Sequence, residues 1–485
     1  MRIIAGIFVA VAAVVSPLAV SSASSAEEEK TMQIVLHPAA EPCPALKYQL
    51  LPPFLERRPG NAAVWWNRLP AERMQYLAAS SKEFMDTGRF TVWMDMPIGS
   101  PREKAYREKE LSDVVNLIHD GAVFSDMARA AQFESCDWEQ PIREGNFIAI
   151  LIPEIQHARA YSRLLSAKAH LEIAEGKYDE AVKTLQIGYT QARHVAQSQT
   201  LVSGLVGLTI AGVMSYQVQQ FVQQPDAPNL YWALSTLPRP LVDLRPGGEA
   251  ESNILYLQFP ELRDLDKKKL APDEWRELLK RIVGDVLQFS DNRAFPRSGD
   301  VSAMIAVAGL QGYPRAKQYL IEKGRTAAEV EAMPVAQVIL LYTVQIYNEA
   351  SDEHFKWFFL PGAEAGRGQE LAERHFDATV RGKEIIPVAS LLLPASRWAK
   401  EAETRCEWTV AVLRIFEAMR LYAAAHDGQW PDRLSDVTEV PIPKNPYDGE
   451  PFIYHREANK AVLTAEKGPK NWYRRYEITL MPKTK

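Results

Sequence analysis

The sequence predicts a mainly α protein of stacked helical hairpins that ends in a small α+β module, a long helix on a short antiparallel sheet. Three observations carry this expectation. Apolar residues recur at helical spacing through 154–195 on both sides of a glycine-containing turn. Residues 195–225 contain no Asp, Glu, Lys or Arg, which suits a helix buried on most sides. Near the C-terminus an amphipathic stretch at 404–426 gives way to three short segments of β-type sequence.

The chain opens with Arg2, an uncharged apolar run over residues 3–15, small residues to Ala26 and then the acidic Glu27–Glu29. This order predicts an export signal peptide over residues 1–26, cut after Ala23 or Ala26, and so a periplasmic or secreted protein. If the leader is retained, its apolar stretch reaches Val20 and approaches the roughly 20 residues of a bilayer span, giving a membrane anchor at the N-terminal segment. No cysteine precedes Cys43, which argues against a lipid-modified N-terminus.

At 485 residues the chain exceeds one ordinary core. With 56 basic against 61 acidic residues its net charge is −5, so no global basic field attracts nucleic acid. Hydrophobic residues make up 47%, which supplies packed cores rather than disorder. The three cysteines, Cys43, Cys136 and Cys406, form no CxxC pair, and isolated buried thiols are expected.

Five segments follow. After the signal peptide, residues 27–59 form a Pro-rich extended lead-in with Pro38, Pro42, Pro44, Pro52, Pro53 and Pro59. An α-hairpin lobe is expected over 60–245. Its clearest hairpin buries Leu164, Leu165, Ala169, Leu171 and Ile173, turns at Gly176 and continues with Ala181, Val182, Leu185 and Tyr189 inward. Gly176 suits a left-handed helix stop and Asp179 is placed to cap the next helix. Ser203, Gly207, Ala211 and Ser215 repeat every four residues, a small-residue ridge for close helix contact. A second helical lobe over 246–394 follows, with helices near 272–290, 300–321, 326–358 and 364–377, and Thr326 with Glu329 forms a capping-box pattern. Residues 395–485 complete the chain. There Trp408, Val412, Ile415, Met419 and Tyr422 make one helical stripe ended by Asp427-Gly428, and strands are expected at Phe452–His455, Ala461–Thr464 and Tyr476–Leu480.

Ala169, Gly176, Tyr178, Ala181 and Leu185 resemble the signature of a tetratricopeptide (TPR) hairpin, with Gly188 where alanine is usual. Pro59-Gly60-Asn61-Ala62-Ala63-Val64-Trp65 is similar to the entry of another. Residues Tyr422–Pro431 and Asn445–Tyr454 resemble the globular half of type II secretion pseudopilins. Arg414, Glu417 and Arg420 rule out that family's apolar assembly stem, and no aspartate follows Asp448 to build its calcium loop. Across most of its length the chain resembles a group of uncharacterised exported proteins common in planctomycete bacteria. That likeness rests on Pro44–Tyr48, Cys136-Asp137-Trp138, Leu171–Asp179, Ala227–Leu234 and Pro446–Phe452, and it implies architecture and export without an activity.

Local catalytic signatures are missing: there is no P-loop, HExxH, GxSxG or SxxK. The weak catalytic candidates are Glu349, Glu353 and His354, with Asp352 beside them and His375 beyond a short loop. Glu349 and Glu353 share a helix face, and a carboxylate beside imidazole suits acid/base work or cation binding. The competing reading is an acidic helix face ahead of Trp357–Leu360. Trp65-Trp66 and Trp93 suit either a sugar-binding surface or the core, and His426 suits a helix C-terminus. No cofactor, metal or small-molecule ligand is inferred. The leading expectation is a non-enzymatic protein–protein interaction scaffold of the cell envelope, with an envelope protein as partner. The alternative is an envelope-polymer hydrolase with its acid/base site near Glu349–His375.

Overall fold

The computed structural model describes residues 30–69, 88–145, 147–150, 152–289, 301–380, 382–393, 395–470 and 472–482. The expected signal peptide, residues 1–26, lies outside them. The protein is mainly helical with a small sheet of mixed direction. Its principal helices are α1 (Pro153–Ala174), α2 (Tyr178–Ala196), α3 (Leu201–Val222), α4 (Pro272–Phe289), α5 (Val301–Glu322), α6 (Val335–Phe358), α7 (Gly362–Thr379) and α8 (Ala395–Ala425). The strands are β1 (Thr31–Leu36), β2 (Arg58–Asn61), β3 (Phe133–Ser135), β4 (Ile453–Glu457), β5 (Lys460–Thr464) and β6 (Arg475–Leu480). Two compact units divide the chain: Gln140–Leu151 with Gly247–Ala399, and the described parts of 14–139, 152–246 and 400–485.

In the larger unit α1, α2 and α3 pack side by side. Gly176 takes φ 71° and stops α1 as its sequence requires. Asp179 departs from expectation: no side chain caps α2, and the Asp179 carboxylate instead accepts the Tyr48 hydroxyl at 2.7 Å and pairs with Lys47. The lead-in supplies that stronger partner. The ridge on α3 is buried against α2, with Ser215 Oγ 2.9 Å from the Tyr189 hydroxyl. At Gly207 an added Cβ would come 2.5 Å from the Ala192 carbonyl oxygen, so glycine sets this helix spacing. α3 is long and apolar enough to cross a membrane, but 67% of its apolar window is buried inside the protein.

The lead-in is stitched to this stack through backbone groups. Gln223 accepts the Val35 amide at 3.2 Å, and Gln186 donates to the Gln49 and Leu51 carbonyls at 3.2 and 3.0 Å. Its first residues form β1, which pairs in parallel with β6 (Ile34 with Ile478, Leu36 with Leu480). The sheet order is β1-β6-β5-β4, and its other pairings are antiparallel. The expected antiparallel sheet is therefore corrected to a mixed one. Tyr476, Ile478 and Leu480 of β6 are buried, and β1 covers the edge they would otherwise leave open. Trp408, Val412, Ile415 and Met419 of α8 are buried as one stripe, and Phe416 packs its ring 5.6 Å from Tyr476. α8 begins at Ala395, nine residues before its expected start at 404.

In the smaller unit α4, α5 and α7 pack around α6. The single helix expected over 326–358 is split into Ala327–Ala332 and α6, because Pro334 holds Met333 extended. The Thr326–Glu329 capping box forms with both reciprocal bonds.

Candidate functional site

The predicted acid/base residues lie on α6 and α7, and they face different partners. Glu349 pairs with Lys323 at 2.5 Å, with both side chains nearly half exposed. Glu353 pairs with Lys356 at 2.5 Å and accepts the Trp357 indole N–H at 3.4 Å. Burial raises the Glu353 pKa, but Lys356, Trp357 and His375 together hold it below the usual carboxylate value. It is ionised at neutral pH and has no proton to donate. His354 sits edge-on to Phe376 with ring centroids 5.2 Å apart, and burial lowers its pKa. His375 and Asp352 are exposed. The structure thus gives Glu349 and Glu353 each its own lysine instead of a shared proton or cation. Among the described residues no group of three or more His, Cys, Asp or Glu is arranged to hold a metal ion.

A small cavity of about 10 Å³ lies in the larger unit, lined by Trp66, Trp138, Glu154, His157, Tyr161 and Gln191 among others. That is room for about one water molecule, too little for a sugar ring. Its walls are held by ring stacking and hydrogen bonds. Trp66 stacks on Tyr161 at 6.2 Å, and its indole N–H donates to His194 Nδ1 at 3.1 Å. His194 Nε2 lies 2.9 Å from the Phe133 carbonyl, so the two bonds select the neutral tautomer with the proton on Nε2. Burial pushes the His194 pKa down to about 4. Trp66 and Trp93 are core residues, which removes them as a sugar platform. Trp93 donates to Glu103 at 2.8 Å, and Glu103 in turn pairs with Arg107 at 3.2 Å.

A buried polar cluster lies on α8. Arg420 and Glu417 are both sealed from solvent and face each other within one helical turn. Arg420 Nε donates to the His37 carbonyl at 3.0 Å, and Nη2 to the Ala227 carbonyl at 2.7 Å. Asn229 donates to the Glu417 carbonyl at 2.9 Å, and the Ala39 amide to the Arg420 carbonyl at 3.1 Å. Burial raises the Glu417 pKa, opposed by Arg420 and by the Leu230 amide. Two turns N-terminal to Trp408, Lys400 pairs with Glu403 in the interior, while Glu407 accepts the Leu241 amide at 2.9 Å. Arg420, Glu403 and Glu407 bind α8 to other chain segments. Cys136 and Cys406 are buried and free, whereas Cys43 is exposed, a correction to the expectation of buried thiols throughout.

No family model, curated protein or solved structure matches the chain.

Sequence reasoning read Arg414, Glu417 and Arg420 only as a bar to an apolar stem. Their i, i+3 spacing on an otherwise apolar helix was the available sign of a buried pair. His426 falls where expected, its Nδ1 2.9 Å from the Tyr422 carbonyl at the end of α8.

Proposed function

We propose that this is an exported, non-enzymatic interaction scaffold of the cell envelope, built on TPR-like hairpins and a pseudopilin-like C-terminal module. In this reading it belongs with the planctomycete exported proteins that it resembles, and its partner is another envelope protein. The observation that carries it is the use of ionisable groups. Arg420, Glu403 and Glu103 are buried and bonded to other segments, Glu417 and Lys400 pair with Arg420 and Glu403 within α8, and Glu349 and Glu353 are each neutralised by a separate lysine. Such an arrangement favours a rigid framework that presents a surface over a cleft that moves protons.

Photo-crosslinking in the native envelope tests it, with the reactive group placed at the exposed positions Arg163 of α1 and Lys183 of α2. One protein captured reproducibly from both positions supports the scaffold. No capture, together with hydrolysis of an envelope polymer that Glu353→Gln abolishes, overturns it in favour of the hydrolase.

A further inference from the structure

Phe54 and Leu55 sit on a short 3-10 turn after Pro52 and Pro53, and are 77% and 93% exposed. They are the two most exposed large apolar side chains among the described residues. Arg57 Nε donates to the Pro52 carbonyl at 2.8 Å, which closes the turn and holds the pair outward. An adjacent apolar pair fixed in water by its own backbone marks a contact surface rather than random exposure.

After the exposed Glu56, the next segment carries arginine on one side. β2 runs parallel to β3, with Arg58 in register with Phe133. Residues in register share a face and successive residues alternate, so Arg58 and Phe133 point to one side and Glu134 to the other. On that side Trp65 stacks on Phe133 at 6.2 Å. The guanidinium carbons of Arg68 and Arg129 each lie 4.9 Å from the Trp65 ring centroid. Gly60, at φ 122°, lets the Phe133 ring approach, since a Cβ there would come within 3.1 Å of it. Val64, one residue before Trp65, is 58% exposed. Arg58 and Arg129 have no carboxylate partner among the described residues. Asp126 is the acidic neighbour, one helical turn before Arg129.

We propose that this face docks on an anionic phospholipid bilayer. Phe54 and Leu55 enter the boundary between headgroups and acyl chains, while Arg58 and Arg129 lie against lipid phosphates. Charge complementarity favours this occupant. The chain as a whole is negative at −5, so an anionic surface would select this local face. The apolar pair protrudes, and a protruding pair followed closely by arginine suits an interface that yields to it. The inference goes beyond the scaffold reading and stands on different residues.

The test uses the protein as the cell processes it, with vesicles of phosphatidylglycerol mixed with phosphatidylcholine, or of phosphatidylcholine alone. Salt-sensitive flotation with the anionic vesicles is expected. Phe54→Ser with Leu55→Ser should weaken it about tenfold, and Arg58→Ser with Arg129→Ser should remove its salt sensitivity. A retained leader would float every variant, so a second reading is taken at the pair itself. A polarity-sensitive dye on Leu55→Cys, in a Cys43→Ser background because Cys43 is the exposed thiol, should shift to the blue only with anionic vesicles. An unshifted dye overturns the proposal. So does a shift that is the same with both vesicle types, or a photo-crosslink from position 55 to a protein or a second copy without vesicle binding.

Discussion

Arg420 Nη1 lies 3.1 and 2.9 Å from the two carboxylate oxygens of Glu417, with both side chains buried on one turn of α8. The remaining guanidinium nitrogens reach the His37 and Ala227 carbonyls, so one side chain joins three distant segments. Removing one member strands the other charge without solvent, whereas removing both does not. Arg420→Met should cost about 3–5 kcal/mol in chemical denaturation, and Glu417→Leu combined with Arg420→Met should recover much of that loss. A double variant as unstable as the single one would show that the carbonyl contacts, not the charge pair, carry the effect.

Helix spacing between α2 and α3 gives a second test. Gly207→Ala places a methyl 2.5 Å from a backbone oxygen that cannot move aside, and should cost about 1–3 kcal/mol. Gly212, in the same helix, has nothing within 4 Å of an added Cβ. Gly212→Ala should stabilise by about 0.5–1 kcal/mol through helix propensity alone. Thermal melts of the two variants should therefore move in opposite directions.

Two buried histidines set an acid limit. His170 and His194 have pKa values pushed down to about 4 by burial, against 6.5 when unfolded. The unfolded chain binds the protons first as pH falls, so folding loses stability between 6.5 and 4 and keeps it in full above 6.5. At 1.36 kcal/mol per pKa unit, each contributes about 3 kcal/mol across that window. Denaturation measured at stepped pH should show the decline, and His194→Gln should flatten it. An unaltered slope in that variant would assign the decline to other groups.

The α6 carboxylates should prove dispensable. Glu349→Gln removes an exposed pair whose contribution is below about 1 kcal/mol. Glu353→Gln keeps an acceptor for Trp357 and should behave alike. Both variants should retain wild-type melting and wild-type photo-crosslinking from Lys183. Loss of crosslinking in either would place α6 within the partner surface.

Much of the helical architecture was legible because it rests on local rules. Gly176 stopped α1, Thr326 and Glu329 closed a capping box, and the Trp408–Met419 stripe named the buried face of α8. The strand β1 was not legible, because its partner β6 lies more than 400 residues away in the chain. Asp179 misled for the same reason: a local capping rule lost to Tyr48 and Lys47, which only the folded lead-in brings near. The start of α8 was hidden by Lys400 and Glu403, which look like solvated charges until they pair in the interior. At the acid/base candidates the helical face was readable but the lysines were not, since Lys323 comes from beyond the end of α5.

Hydrogen exchange on Arg420→Met shows directly whether buried charge fastens these segments together. Exchange should be faster at residues 31–39 and 227–230, with α6 amides unchanged from wild type. Wild-type protection throughout the lead-in and the 227–230 loop would contradict it.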